Sequence, residues 1–277
     1  MQTSEIVHYF AKYIEKELGI IYSEHNLYQL QNRLEEVIKI LGVNDLETLY
    51  QYAQLENPLF KKQVLLDIAT NNETSFFRDP RVFKGITSLL THLLEKFEVT
   101  REELKVWSVA SSTGQEPISI AIVLEEILSN KKLSTPYSIL CSDISQRVLM
   151  RAQEGCYSDL EMSRGLTPEQ TSKYFKAAGS KWQFDPKLLG KMNFIKQNLK
   201  ESFSSFGQFH FVLCRNVLIY QNVESKIEIL QRLAQSIVPG GYLVLGAGES
   251  LLGLIDDFEQ EIIEGAVFYR RKIGPSV

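Results

Sequence analysis

Residues 210–220 read His-Phe-Val-Leu-Cys-Arg-Asn-Val-Leu-Ile-Tyr, a short apolar run that breaks open into Arg215, Asn216 and Tyr220. An apolar run without polar alternation fits a strand covered on both faces, as in a parallel sheet. In open α/β sheets ligands sit outside the carboxyl ends of the strands. The polar residues that end this run are therefore candidates for a binding site.

Working outward, similar β-rich runs alternate with helical stretches from about Lys105 onward. Strands are expected at Lys105–Ala110, Ser138–Ser142, Asn193–Gln197, Phe209–Arg215 and Tyr242–Leu245, and helices at Glu116–Leu128, Ser145–Ala152 and Val223–Val238. Alternation of this kind predicts βαβ units around a mainly parallel sheet. Pro239-Gly240-Gly241 reads as a sharp turn into the strand that follows. Ala266–Arg271 reads as a last strand pairing antiparallel at the sheet edge. Residues 155–192, with Gly155, Gly165 and Gly179, break the alternation and are expected to form a small insertion.

Residues 1–70 carry helical periodicity and no convincing strand. Ile6, Phe10, Tyr13, Ile14 and Leu18 form one stripe, ended by Gly19. Leu27, Leu30, Leu34, Val37, Ile38 and Leu41 form a second, ended by Gly42. Leu46, Leu49, Tyr50 and Ala53 mark a third, and Val64–Ala69 a fourth. The expectation is a small helical bundle over 1–70, a connecting segment over 71–104 and an α/β domain over 105–277.

Bulk properties narrow the functional classes. The formal net charge of −4 lacks the basic footprint of a nucleic-acid binder. Three cysteines without paired spacing argue against a disulfide framework and for a reducing compartment. Glu5, His8 and Lys12 interrupt the start of the chain, unlike a signal peptide, and no apolar run approaches the roughly 20 residues of a bilayer span. A cytoplasmic protein with no membrane insertion is expected. The four histidines, His8, His25, His92 and His210, lie far apart without metal-ligand spacing, so no metal site is expected.

Three polar clusters precede the 210–220 run. Asn71-Asn72-Glu73-Thr74-Ser75-Phe76-Phe77-Arg78-Asp79 combines hydrogen-bonding side chains with an arginine suited to bidentate capture of a carboxylate. A helix cap followed by phenylalanines stapled into the core explains the same residues. Val109–Pro117 places small residues between a strand and a helix, where a ligand can approach backbone and helix N-terminus. It is neither a Walker A loop nor a G-x-G-x-x-G loop. Glu116 there is a ligand contact or a favourable charge on the helix dipole, or both. In Cys141-Ser142-Asp143-Ile144-Ser145, Asp143 is placed either to accept from a ribose or to cap the next helix. Asn198 and Leu199, after the third strand, suit the edge and face of a purine, or an ordinary loop. Tyr220 is a pocket phenol or a rim aromatic, and Cys214 reads as a small buried hydrophobe rather than a nucleophile.

Taken in order, N-N-E-T-S-F-F-R-D, W-S-V-A-S-S-T-G-Q-E-P, C-S-D-I-S, C-R-N-V-L-I-Y and P-G-G-Y-L-V-L-G-A-G-E-S resemble the CheR family. That family comprises bacterial methyltransferases that use S-adenosylmethionine to esterify receptor glutamates in chemotaxis. The resemblance spans essentially the whole chain. It implies a helical N-terminal domain joined to a Rossmann-like methyltransferase domain, with a small β-subdomain for which residues 155–192 are the candidate. It assigns cofactor contacts to Asn72, Thr74, Arg78, Glu116, Asp143, Asn198, Leu199, Arg215 and Asn216, with Arg78 on the methionine carboxylate. Tyr220 becomes the aromatic at the transfer site, and the cytoplasmic helical domain of a chemoreceptor the partner. A related signalling protein as acceptor, or a module that senses S-adenosylmethionine or S-adenosylhomocysteine without catalysis, are the alternatives.

The chain departs from the family pattern in several places. Ala110-Ser111 stands where Gly-Cys is frequent, Gln115 for Glu, His210 for Asp, and Gln221-Asn222 for Phe-Asp. The second helix is typically basic in the family. Here Glu35 and Glu36 join Arg33 and Lys39, and residues 1–70 carry ten Asp and Glu against six Lys and Arg. The docking mode of the acceptor is the feature this bears on.

Overall fold

The computed structural model describes residues 3–54 and 70–273. The fourth helical stripe, Val64–Ala69, lies outside the described residues. Helices α1 (Thr3–Leu18), α2 (Leu27–Leu41) and α3 (Leu46–Gln54) form the N-terminal unit. The apolar stripes read from the sequence are the ones that are buried: Ile6, Phe10, Ile14 and Leu18 of α1 meet Leu30, Leu34 and Val37 of α2 and Leu49 of α3. Gly42 ends α2 in a left-handed conformation (φ 63°), its amide donating back to the Ile38 and Lys39 carbonyls.

The α/β domain opens with helix α4 (Pro80–Thr100), which the sequence reading did not assign. Its signal is weakened by Pro80 at the first turn and Gly85 in the interior, a poor helix residue. Gly85 is there for space. A Cβ at this position would meet the Phe268 ring at 2.4 Å and the Ile263 carbonyl at 2.9 Å. The helix thus lies tight on the sheet, burying Phe83, Ile86, Leu90, Leu94 and Phe97 in the main core.

The sheet is built from β1 (Leu104–Val109), β2 (Tyr137–Asp143), β6 (Met192–Lys196), β7 (Phe209–Cys214), β8 (Ile237–Leu245), β9 (Phe258–Ile263) and β10 (Ala266–Arg271). Its order is β6-β2-β1-β7-β8-β10-β9. Strands β6 to β8 run parallel, and β10 pairs antiparallel with both β8 and β9. Helices α5 (Gln115–Lys131), α6 (Gln146–Glu154) and α10 (Val223–Gln235) make the crossovers. The chain leaves β1 toward β2 and β6, then returns to the other side of β1 as β7. The strand order therefore reverses between β1 and β7, and a crevice opens there at the carboxyl edge.

Residues 155–192 interrupt this pattern with β3 (Cys156–Tyr157), α7 (Asp159–Met162), α8 (Pro168–Tyr174), β4 (Phe175–Ala178), β5 (Lys181–Phe184) and α9 (Pro186–Leu189). The three strands form a separate antiparallel sheet, β3-β5-β4. It is anchored by a cluster of aromatic edges in which Phe76 meets Tyr157 at 5.0 Å and Phe175 at 5.8 Å.

Two expectations need correction. Pro239-Gly240-Gly241 is not a turn before a strand but part of β8. Phe209 pairs with Ile237 and Phe211 with Tyr242, so the extra residues bulge out of a continuing ladder. The last strand is not at the edge, because β9 folds outside it. Glu264 (φ 52°) and Gly265 (φ 75°) are both left-handed, the geometry of a tight hairpin.

Candidate active site

The crevice at the β1/β7 reversal is one continuous cleft. Asn72, Thr74, Arg78, Glu116, Asp143, Asn198, Leu199, Arg215, Asn216 and Tyr220 all line it. Every site residue read from the sequence is therefore on one surface. The sequence reading did not foresee the opposite wall, which comes from the helical unit: Leu18, Ile20–Tyr22, Asn26, Gln29 and Arg33.

The floor follows from backbone geometry after β1. Ala110 (φ 53°), Ser112 (φ 50°) and Gly114 (φ 92°) alternate left-handed conformations with ordinary ones, which curls the chain and turns amides inward. Asp143, at the end of β2, binds this curl. Its Oδ2 accepts from Ser112 N at 2.9 Å and its Oδ1 from Ser145 N at 2.9 Å. Ser145, not Asp143, caps α6.

Arg215 is the buried hub of the site. Its guanidinium donates to Glu116 Oε2 at 3.1 Å, to Asp79 Oδ2 at 2.6 Å and to the Arg78 carbonyl at 2.9 Å. Glu116 accepts again, on Oε1, from Ser108 at 2.8 Å. The sequence reading missed Asp79, which sits where a helix cap is expected. Its side chain makes no cap bond to α4 and turns to Arg215 instead. The half-buried Arg78 side chain lines the cleft, its guanidinium donating to the Glu73 carbonyl at 3.2 Å. Asn72 contributes its carbonyl to Ser112 Oγ at 2.9 Å and its side chain to Thr70 at 3.1 Å.

Asn198 is tied up differently from the purine-edge expectation. Its Nδ2 donates to the Glu17 carbonyl at 3.0 Å and its Oδ1 accepts from Lys200 N at 3.0 Å. Lys200 Nζ donates to the Lys16 carbonyl at 2.8 Å. Both bonds fasten the end of α1 over the cleft. At the mouth, Asn71 Nδ2 donates to Tyr220 Oη at 2.9 Å, and the Tyr220 carbonyl accepts from Ile21 N at 2.9 Å. Arg33 donates to Tyr22 Oη at 2.7 Å on the facing wall.

Burial, and behind it the Glu249 and Glu116 carboxylates, pushes the Cys214 thiol far up, so it stays protonated and offers no nucleophile. Among the described residues no three His, Cys, Asp or Glu side chains gather as a metal-binding group, and no helix is long and apolar enough to cross a membrane. Among the described residues, three buried atoms of cleft residues, Ser111 Oγ, Gln221 Oε1 and Arg215 Nε, have no hydrogen-bond partner. Orphaned polar atoms beside a half-buried arginine and a pair of carboxylates suit a polar, partly cationic ligand.

A doubly wound sheet with a polar cleft at its strand-order reversal is the architecture of an α/β enzyme that binds a nucleotide or nucleoside cofactor. The domain described as CheR methyltransferase, SAM binding domain, matches residues 72–266, and the chain belongs to the CheR methyltransferase family. It is 35% identical over 265 residues to chemotaxis protein methyltransferase 1 of Vibrio cholerae, covering 95% of each chain. Identity is also 35% to chemotaxis protein methyltransferase 1 of Pseudomonas aeruginosa, over 95% of this chain and 96% of that one. The chemotaxis protein methyltransferase of Listeria monocytogenes is 30% identical over 90% of this chain and 91% of its own. The protein is an S-adenosylmethionine-dependent methyltransferase of chemotaxis.

Proposed function

We propose that the cleft holds S-adenosylmethionine with its amino-acid end at Arg78 and its ribose toward Asp143, and that the acceptor is a glutamate carboxylate on the cytoplasmic helical domain of a chemoreceptor. The observation that carries this reading is the convergence of side chains from 72 to 220 on one cleft at the β1/β7 reversal. When bound, the cofactor supplies a methyl group made electrophilic by its sulfonium. A glutamate carboxylate is already ionised near neutral pH, so no side chain has to remove a proton. The chain's own task is to fix both partners in line and to keep water out.

Arg78 lines the cleft from the segment before α4, and its guanidinium suits a carboxylate arriving with the ligand. Arg215 holds Glu116 and the 78–79 turn in place. Glu116 lies at the first turn of α5 and suits the ligand's ammonium group. The helical unit closes the far side and brings Tyr22 and Arg33 to face Tyr220 at the mouth, where the acceptor enters.

Titration calorimetry with S-adenosylhomocysteine is the direct test. Arg78→Ala is expected to weaken binding by about 10- to 100-fold, the loss of a charge-assisted hydrogen bond. Unchanged affinity would remove Arg78 from the cofactor site. Incubating receptor cytoplasmic fragments with methyl-labelled cofactor tests the acceptor. Label retained on glutamates as base-labile ester supports the reading, and label on another protein or residue type overturns it.

A further inference from the structure

Glu249 does not line the cleft, yet its carboxylate holds two of the loops that build it. Oε2 accepts from Asn216 N at 2.8 Å and Gly246 N at 2.7 Å. Oε1 accepts from Val217 N at 3.0 Å and Ile219 N at 3.1 Å. Those amides belong to the chain leaving β7 and the chain leaving β8, which pair side by side up to Cys214 and Leu245. One side chain therefore joins two strand ends at the carboxyl edge of the sheet. The approach is close. A Cβ on Gly246 would lie 2.7 Å from Asn216 Nδ2 and 2.8 Å from Glu249 Oε2.

The four amides are ones the fold leaves without another acceptor. Asn216 is left-handed (φ 58°), which turns its N–H away from the sheet. Val217 and Ile219 open the single 3₁₀ turn Leu218–Tyr220, whose first amides have no partner within the turn. A carboxylate offers acceptors only, so it suits a nest of donors in a way no neutral side chain does. The turn it caps carries Tyr220.

We propose that Glu249 is a positioning residue for methyl transfer: acting through the backbone of 216–219, it sets Tyr220 and so the line between acceptor oxygen and methyl carbon. This rests on the reading of the cleft given above. Apart from Asn216, whose amide Glu249 holds, the cofactor's side of the cleft is held by separate means. Arg215 is fixed by Asp79 and Glu116, Asp143 by the loop after β1, and Arg78 stands on another segment. Loss of Glu249 therefore acts on alignment more than on cofactor binding.

Glu249→Gln puts an amide donor against two backbone donors while nearly keeping size. It is expected to lower kcat by about 10- to 100-fold, the scale of a misalignment near 1 Å, and to change S-adenosylhomocysteine affinity less than about threefold. In a Tyr220→Ala background the same substitution should have little further effect, because the residue it acts through is gone. Unchanged kcat, equal losses in kcat and affinity, or fully additive losses with Tyr220→Ala would each overturn the proposal. Glu249→Asp, which keeps the charge on a shorter arm, provides the same cycle where Gln does not fold. Wild-type protein that binds no S-adenosylhomocysteine would instead sink the reading of the cleft itself.

Discussion

Arg215 and Asp79 meet at 2.6 Å, the arginine side chain only 2% exposed, and this contact fixes the turn that presents Arg78 to the cleft. The same guanidinium reaches Glu116, whose side chain is 14% exposed. Three segments distant in sequence, at 78–79, 116 and 215, are thereby locked around one planar cation. Lysine carries its donors on one nitrogen and does not match the two separate nitrogens that serve Glu116 on one side and Asp79 with the Arg78 carbonyl on the other.

Arg215→Met is accordingly expected to be strongly destabilising. Removing one partner of a buried pair leaves an uncompensated charge, here Glu116, at a cost of about 3–5 kcal/mol. The lower end applies, because Asp79 is 36% exposed and regains water. Urea unfolding followed by circular dichroism gives the number. A change under about 1 kcal/mol would mean that the hub is not what holds these segments together.

Asn71 and Tyr220 define a second, separable contact. The bond between them is near the surface, so its loss in Tyr220→Phe or Asn71→Ala corresponds to about 0.5–1.5 kcal/mol, roughly 2- to 10-fold in kcat. The two substitutions should not add, since each removes the same bond. Affinity for S-adenosylhomocysteine should stay level in both. Steady-state rates on a receptor fragment, set beside calorimetry, check the split. A fall in affinity that matches the fall in rate would place Tyr220 on the cofactor instead.

Much of the α/β architecture was legible because buried parallel strands are written as apolar runs, as at 211–214. The cleft residues were legible for a related reason, since ligands gather where such runs end. Helix α4 escaped because Gly85 looks like a breaker until Phe268 is seen against it. Strand β9 escaped, and with it the hairpin it makes with the expected last strand, because Phe258–Ile263 carries Glu259, Gln260 and Glu261 at its centre rather than an apolar run. Glu249 and Asp79 could not be assigned from periodicity at all. Their partners lie 33 and 136 residues away, and only the folded chain brings them together. The same holds for the roof of the cleft, where Arg33 reads only as a charge on the second helix and Tyr22 lies in the connection between α1 and α2.

Gly19 is where that roof meets the catalytic domain. It is left-handed (φ 74°), and a Cβ there would lie 2.2 Å from Gln221 Oε1. Gly19→Ala therefore meets both a backbone penalty of about 1–2 kcal/mol and a clash. The expected result is a loosened seam. The Ile21 amide, which donates to the Tyr220 carbonyl, should exchange with deuterium faster than in wild type, and cofactor affinity should fall as one wall retracts. Unaltered exchange at Ile21 would show that the seam tolerates the methyl group.

His210 stands where the family pattern favours an aspartate, and its environment predicts a pH dependence. Nδ1 accepts from Lys105 N at 3.0 Å, which requires a free lone pair, and the ring packs edge-on to Phe97 with centroids 4.6 Å apart. Burial pulls its pKa below 6.5; Glu102 and Glu103 pull it up, Lys105 and Lys96 down, and the net shift is downward. The unfolded chain therefore takes up this proton at a higher pH than the folded one. Stability from His210 is complete above 6.5 and drains away as pH falls through the folded value. His210→Asn keeps an acceptor for Lys105 N and removes the titration. Melting temperatures of the two proteins, compared from about pH 8 to pH 5, should diverge on the acid side with wild type losing more. A difference that stays constant across that range would show that His210 never protonates before the chain unfolds.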